Sequence, residues 1–252
     1  MAAQQGFVYE VNAAKYLKPI GLVPKNFTPA GAGHDQPDLM LLYKDDKQGC
    51  ELKITDASAG SLVLKYTPNQ NPPWGFGDIK NEEKEKLFIR DLAKNVKLFD
   101  EIAKAWNNRP YKVDKQYQDA YWKRTAGNLN NRERYARDHR VFRELKGEIP
   151  SRKIESYYNR KDTFYVNVGT HGFYMMGNRN PYRLKKVPRF SVSSKALWRA
   201  RVQAKGGGNY QFTFEMGFRI VKKSQYNIAP VKSKSNVEID KGAVDISCFP
   251  EL

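Results

Sequence analysis

Residues 37–54, Pro37-Asp38-Leu39-Met40-Leu41-Leu42-Tyr43, then Lys44-Asp45-Asp46-Lys47-Gln48-Gly49, then Cys50-Glu51-Leu52-Lys53-Ile54, decide how this chain is read. LMLLY is a short apolar run with turn-rich flanks, which predicts a strand, and CELKI predicts a second. The polar YKDDKQGC between them reads as a hairpin turn, so the two strands return side by side. Side chains alternate along a strand, so Glu51 and Lys53 share a face, and the hairpin carries that face back to the start of the first strand, where Asp38 stands. Two carboxylates and one amine are thereby expected to converge at one end of a sheet.

Upstream, residues 4–17 place Phe7, Val11, Ala14 and Leu17 at helical spacing, which predicts a helix ending before Pro19 and Gly21, with Glu10 beside its apolar stripe. Downstream, SLVLKY predicts a third strand after the loop TDASAG, and TPNQNPPWGFG is too rich in Pro and Gly for regular structure. Residues 79–106 set Phe88, Leu92, Val96, Phe99, Ile102 and Trp106 on one face of a single long helix with an acidic first turn, Glu82 to Glu85. KDTFYVNVGTHGFYMMG reads as a hairpin turning near Gly169 to Gly172, and WRARVQAK and YQFTFEMGFRIV as two strands joined by GGGN.

The chemistry of the convergent residues is specific. A pair of carboxylates one metal diameter apart suits a hard cation such as Mg²⁺, with Mn²⁺ as the alternative, which keeps much of its water and takes remaining ligands from phosphate. An amine beside them stabilises charge developing on a phosphate or an attacking water. Glu10, projecting toward the same corner, would orient Lys53 or add a ligand. Glu10 in a leading helix, Pro37-Asp38 opening a strand and Glu51-Leu52-Lys53 on the next one resemble the PD-(D/E)XK nuclease superfamily, which includes restriction endonucleases, phage exonucleases and junction resolvases. The likeness covers roughly the first 66 residues.

That resemblance implies a restriction-endonuclease-like α/β fold, a central mixed β-sheet flanked by helices, here with basic DNA-binding additions. It implies Glu10, Asp38, Glu51 and Lys53 as catalytic residues, and Asp38, Glu51 and the carbonyl of Leu52 as metal ligands. The expected activity is hydrolysis of DNA phosphodiester bonds, with an endonuclease on duplex DNA favoured over an exonuclease or junction resolvase. A non-catalytic nucleic-acid-binding protein is the alternative. In that case Pro37-Asp38 opens a turn and Glu51 and Lys53 are the solvated face of an edge strand.

Charge supports a polyanionic partner. The formal net charge is +17; residues 1–66 hold seven basic and seven acidic side chains, residues 67–106 seven of each, and the remainder thirty against thirteen. The excess lies wholly after residue 106. Lys123, Arg124, Arg132, Arg134, Arg137, Arg140 and Arg143 crowd one stretch with Trp122 and Tyr135, and a second group, Arg179, Arg183, Lys185, Lys186 and Arg189, follows the hairpin. The first set together with Lys185 and Lys186 is expected to contact DNA. The organisation expected is a nuclease core at 1–106, a basic DNA-binding portion at 107–231 and a tail at 232–252.

Other chemistries find less support. Cys50 and Cys248 lie far apart with no companions at zinc-ligand spacing. His34 lies close to Asp38 and is a candidate for touching metal or phosphate, while His139 and His171 sit in an Arg-rich run and a turn. GGGN lacks the Lys-Ser/Thr of a phosphate loop. Trp74 and Phe76 are candidates either for stacking on a base or for packing their own loop. No leader or apolar span is evident, so a cytoplasmic protein is expected, with a homodimer left open.

Overall fold

The computed structural model describes residues 2–29, 37–66, 74–80, 84–107, 121–123, 136, 139–204 and 209–249. In chain order the elements are α1 (Ala2–Leu17), β1 (Leu39–Tyr43), β2 (Asp46–Lys53), β3 (Ser58–Tyr66), β4 (Trp74–Phe76), α2 (Lys84–Asn95), α3 (Leu98–Asn107) and β5 (Tyr121–Lys123). They continue with β6 (Lys146–Ile149), α4 (Arg152–Asn159), β7 (Thr163–Val168), β8 (Gly172–Met175), α5 (Phe190–Ser193), β9 (Ser194–Ala204) and β10 (Asn209–Ile220). The protein is mixed α/β with two sheets, and it divides into two compact units.

The first unit comprises residues 1–57, 150–196 and 218–252. Its four-stranded sheet has the order β1-β2-β7-β8, with β2 and β7 parallel and the outer pairs antiparallel. Tyr43 pairs with Asp46, so the turn has two residues, and Lys44 and Asp45 both take positive φ (49° and 63°). That is the backbone a tight hairpin needs to follow strand twist. Gly49 lets β2 lie unusually close to its surroundings, since a Cβ there would meet the Asp162 carbonyl at 2.7 Å and Pro37 at 3.1 Å.

Leu39, Leu41, Cys50, Leu52, Tyr165 and Phe173 from the sheet form one core with α1 and with the C-terminal segment. The buried face of α1 is Tyr9, Ala13, Ala14 and Leu17, while Phe7 and Val11 remain 44% and 40% exposed. The expected stripe is therefore rotated. A tyrosine whose hydroxyl finds a buried partner competes successfully with Phe and Val for the inward face. Residues 232–249, expected as a loose tail, supply Val237, Cys248 and Phe249 to this same core. The expected boundaries at 106 and 231 thus do not coincide with those of the compact units.

The second unit comprises residues 58–149 and 197–217. Its sheet follows the order β4-β3-β10-β9-β6, with β5 pairing the start of β10. Trp74 is buried against Phe142 and Phe212, at ring centroids of 5.7 and 5.3 Å, and Phe76 lies 4.9 Å from Phe99. Of the two readings of Trp74 and Phe76, packing is the one realised. The single helix expected over 79–106 is two helices, because Lys97 adopts φ 52° between α2 and α3 and interrupts the ladder. Glu82 lies outside the described residues, and Glu85 is the acidic residue in the first turn of α2.

Candidate active site

β1 and β2 bring the predicted cluster together through register. Leu39 pairs with Cys50, so Asp38, one residue before β1, falls opposite Glu51. β1 has ended there, and the Asp38 carboxylate takes over the next ladder position, with Oδ2 accepting the Leu52 N–H at 2.8 Å. A residue's N–H and C=O point toward the same strand edge, so the Leu52 carbonyl also faces the Asp38 side. The Lys53 carbonyl faces the other way and accepts from Gly169 N–H at 2.7 Å.

Alternation separates the side chains as expected. Cys50 and Leu52 enter the core, while Glu51 and Lys53 occupy the opposite face. Lys53 Nζ donates to Glu51 Oε1 and lies 4.0 Å from Asp38 Oδ2. One ammonium therefore bridges the two carboxylates, which are separated by no more than that distance plus one hydrogen bond. Glu51 is only 5% exposed and also accepts the Tyr158 hydroxyl at 3.3 Å.

Glu10 arrives from α1. The helix is fixed by Tyr9, whose hydroxyl donates to the Ala229 carbonyl at 2.6 Å and accepts from Asn167 Nδ2 at 3.0 Å. Glu10, the next residue, is half-buried and within the electrostatic reach of Asp38, Lys53 and Glu51. Burial, then the nearby Asp38, pushes its carboxyl up to about 7. Burial, then Glu51, pushes Asp38 up to about 6, against the opposing pull of Lys53, the Leu52 N–H and Lys161. Burial works to lower the Lys53 ammonium, but Glu51, Tyr158 and Asp38 outweigh it and hold it well above the usual lysine range.

Burial first, and then three carboxylates gathered around one ammonium, raise the carboxyls of Glu10 and Asp38 and leave the cluster short of positive charge. The donor set fits a hard cation: two carboxylates and a backbone carbonyl at one strand edge, with the remaining ligands left to water and phosphate. Among the described residues no group of three or more His, Cys, Asp and Glu is arranged to enclose a metal. An all-protein cage of the zinc type is thus not present among them.

Tyr158 and Lys161 were not anticipated. Tyr158 lies on α4 and Lys161 just beyond its end; the sequence signal for that helix is Pro150-Ser151 followed by Ile154, Tyr157 and Tyr158 at helical spacing, all three buried. Of the expected DNA-contacting residues, Arg140, Arg143, Lys185 and Lys186 are exposed. Lys123 pairs with Asn209 in β5, and Arg124, Arg132, Arg134, Arg137 and His34 lie outside the described residues. Arg189, in the second basic group, is occupied otherwise: it binds the buried Glu155 through Nε at 3.2 Å and Nη2 at 3.0 Å. No described helix is long and apolar enough to cross a membrane. A scan against protein-family models, a search of curated proteins and a search of solved structures each found no match to this chain.

Proposed function

We propose that this protein is a metal-dependent deoxyribonuclease with a restriction-endonuclease-like core, acting on duplex DNA. The observation that carries the reading is the Lys53 ammonium hydrogen-bonded to Glu51 and 4.0 Å from Asp38 at one end of a mixed sheet. A leading helix that delivers Glu10, the β1–β2 hairpin, and a helix running into the parallel strand β7 agree with the core that the resemblance implies.

Asp38, Glu51 and the Leu52 carbonyl would hold Mg²⁺ or Mn²⁺, which when bound supplies Lewis-acid polarisation of the phosphate and acidifies water. Lys53, at the same end of the sheet, is placed to contact a non-bridging oxygen of the scissile phosphate and stabilise its developing charge. Tyr158 holds Glu51 in place from α4. Glu10 lies within electrostatic reach of Lys53 and, when ionised, adds negative charge beside it. Arg140, Arg143, Lys185 and Lys186, with Lys123, Arg124, Arg132, Arg134 and Arg137, are the proposed contacts to the DNA backbone.

The test is cleavage of supercoiled plasmid and linear duplex with Mg²⁺ by the native protein, Lys53→Ala and Asp38→Ala. Cutting by the native protein and a loss of at least about 10²-fold in both variants, with DNA binding retained, is the expected result. Tight, salt-sensitive binding without cleavage of duplex, single-stranded or branched DNA under any divalent metal would replace this reading with that of a binding protein.

A further inference from the structure

At the far end of β1 from Asp38, the hairpin residues Tyr43 and Lys44 and the loop residues Tyr182, Arg183, Lys185 and Lys186 line a cavity of about 780 Å³. With roughly 3.3 Å per strand residue, it stands about 15 Å along β1 from the carboxylate cluster. Four of those six side chains are cationic. The acidic side chain at the rim, Asp46, already accepts Gln48 Nε2 at 2.9 Å. Among the described residues, no ion pair engages Arg183, Lys185 or Lys186, and all three are exposed.

The loop is built rather than slack. Asn180 Oδ1 accepts from the Tyr165 hydroxyl at 2.9 Å and from Leu184 N–H at 3.0 Å, and its Nδ2 donates to the Leu184 carbonyl at 2.9 Å. The Tyr182 hydroxyl donates to the Leu41 carbonyl at 2.6 Å, tying the loop to β1. Within this clamped frame Arg183 and Lys186 hold φ of 53° and 65°. Glycine occupies such backbone without strain, and long cationic side chains do not. Strained positions of this kind gather where a side chain must be aimed at something.

We infer that this cavity binds the phosphate of a nucleotide, either free or as part of a DNA strand. Its volume exceeds what an isolated phosphate fills and falls within the range of small-molecule sites. Convergent cations on a rigid frame supply the charge-assisted donors that a phosphate needs. The free-nucleotide form of the inference stands apart from the cleavage reading, because the cavity and the carboxylate cluster occupy opposite ends of the sheet, while the DNA-strand form rests on the proposed function, in which Lys185 and Lys186 contact the DNA backbone.

The experiment measures metal-free binding of a deoxynucleoside 5′-monophosphate and of a short duplex to the native protein, Arg183→Gly, Lys186→Gly and Lys185→Ala, with thermal melting of each. The two glycine variants are expected to melt at or above the native temperature, because the left-handed strain is relieved, yet to bind at least tenfold more weakly. Weakened monophosphate binding identifies a free nucleotide as the ligand, and weakened duplex binding alone identifies the DNA backbone. Unchanged affinity for both ligands in Arg183→Gly, Lys186→Gly and Lys185→Ala overturns the inference, whatever happens to cleavage.

Discussion

A carboxyl that titrates near neutrality reveals itself through stability as well as chemistry. Glu10 has its folded-state value raised to about 7 from an ordinary 4.5, so the folded protein holds that proton more tightly than the unfolded chain. Its charge therefore costs stability fully above pH 7, progressively less between 7 and 4.5, and nothing below. In metal-free protein, Glu10→Gln should raise stability at pH 8 by about 1 kcal/mol, after discounting for a half-exposed side chain. The gain should vanish at pH 4, and melting curves at the two pH values check this. Tyr158→Phe removes only the hydroxyl that Glu51 accepts at 3.3 Å, and under the proposed nuclease reading is expected to slow cleavage about tenfold with little loss of DNA affinity. Asp38, Glu51 and Lys53 were legible in sequence because a hairpin and strand alternation are local rules. Tyr158 was not, because it meets Glu51 across 107 residues and nothing in either neighbourhood names the other.

Two elements carry strain or charge that can be measured directly. Gly49 in β2 lies against the Asp162 carbonyl and Pro37, so Gly49→Ala should push apart the strand, the residues leading into β7 and the segment holding Asp38. A loss of about 1–3 kcal/mol, read by denaturant unfolding, is expected, together with reduced cleavage under the proposed nuclease reading. In the second sheet, Glu215 of β10 is 2% exposed and binds Arg199 at 3.1 and 3.0 Å and Arg201 at 2.8 Å, both from β9. Burial pushes its carboxyl up, but the two guanidinium groups outweigh it and leave it below the usual range. Glu215→Gln should cost about 2 kcal/mol at pH 7, the arginines being partly solvated. The contribution of Glu215 is complete above 4.5 and is lost as pH falls through its lowered folded value. At this scale the strands were readable from composition and turns. The inward face of α1 and the break at Lys97 were not, since the first depends on a buried hydroxyl partner and the second has no Gly or Pro to announce it.

For the whole molecule the dominant quantity is a net charge of +17, supplied entirely after residue 106. If DNA is the partner, raising salt from about 50 to 200 mM should weaken binding by about 10³-fold or more for six or more phosphate contacts. Arg140→Ala and Arg143→Ala should each reduce the salt slope by about one, measured by titration at several ionic strengths. The parallel partners β2 and β7 are separated by more than a hundred residues that include most of the second unit. On a ribosome adding roughly 5–20 residues per second, the hairpin with Asp38, Glu51 and Lys53 is complete several seconds before β7 and Tyr158 exist. For that interval β2 has an open edge on the side where β7 will pair, and Glu51 lacks the hydroxyl that steadies it. Synthesis order thus sets a delay: the nascent chain carries Asp38, Glu51 and Lys53 well before the strand and the hydroxyl that complete their surroundings.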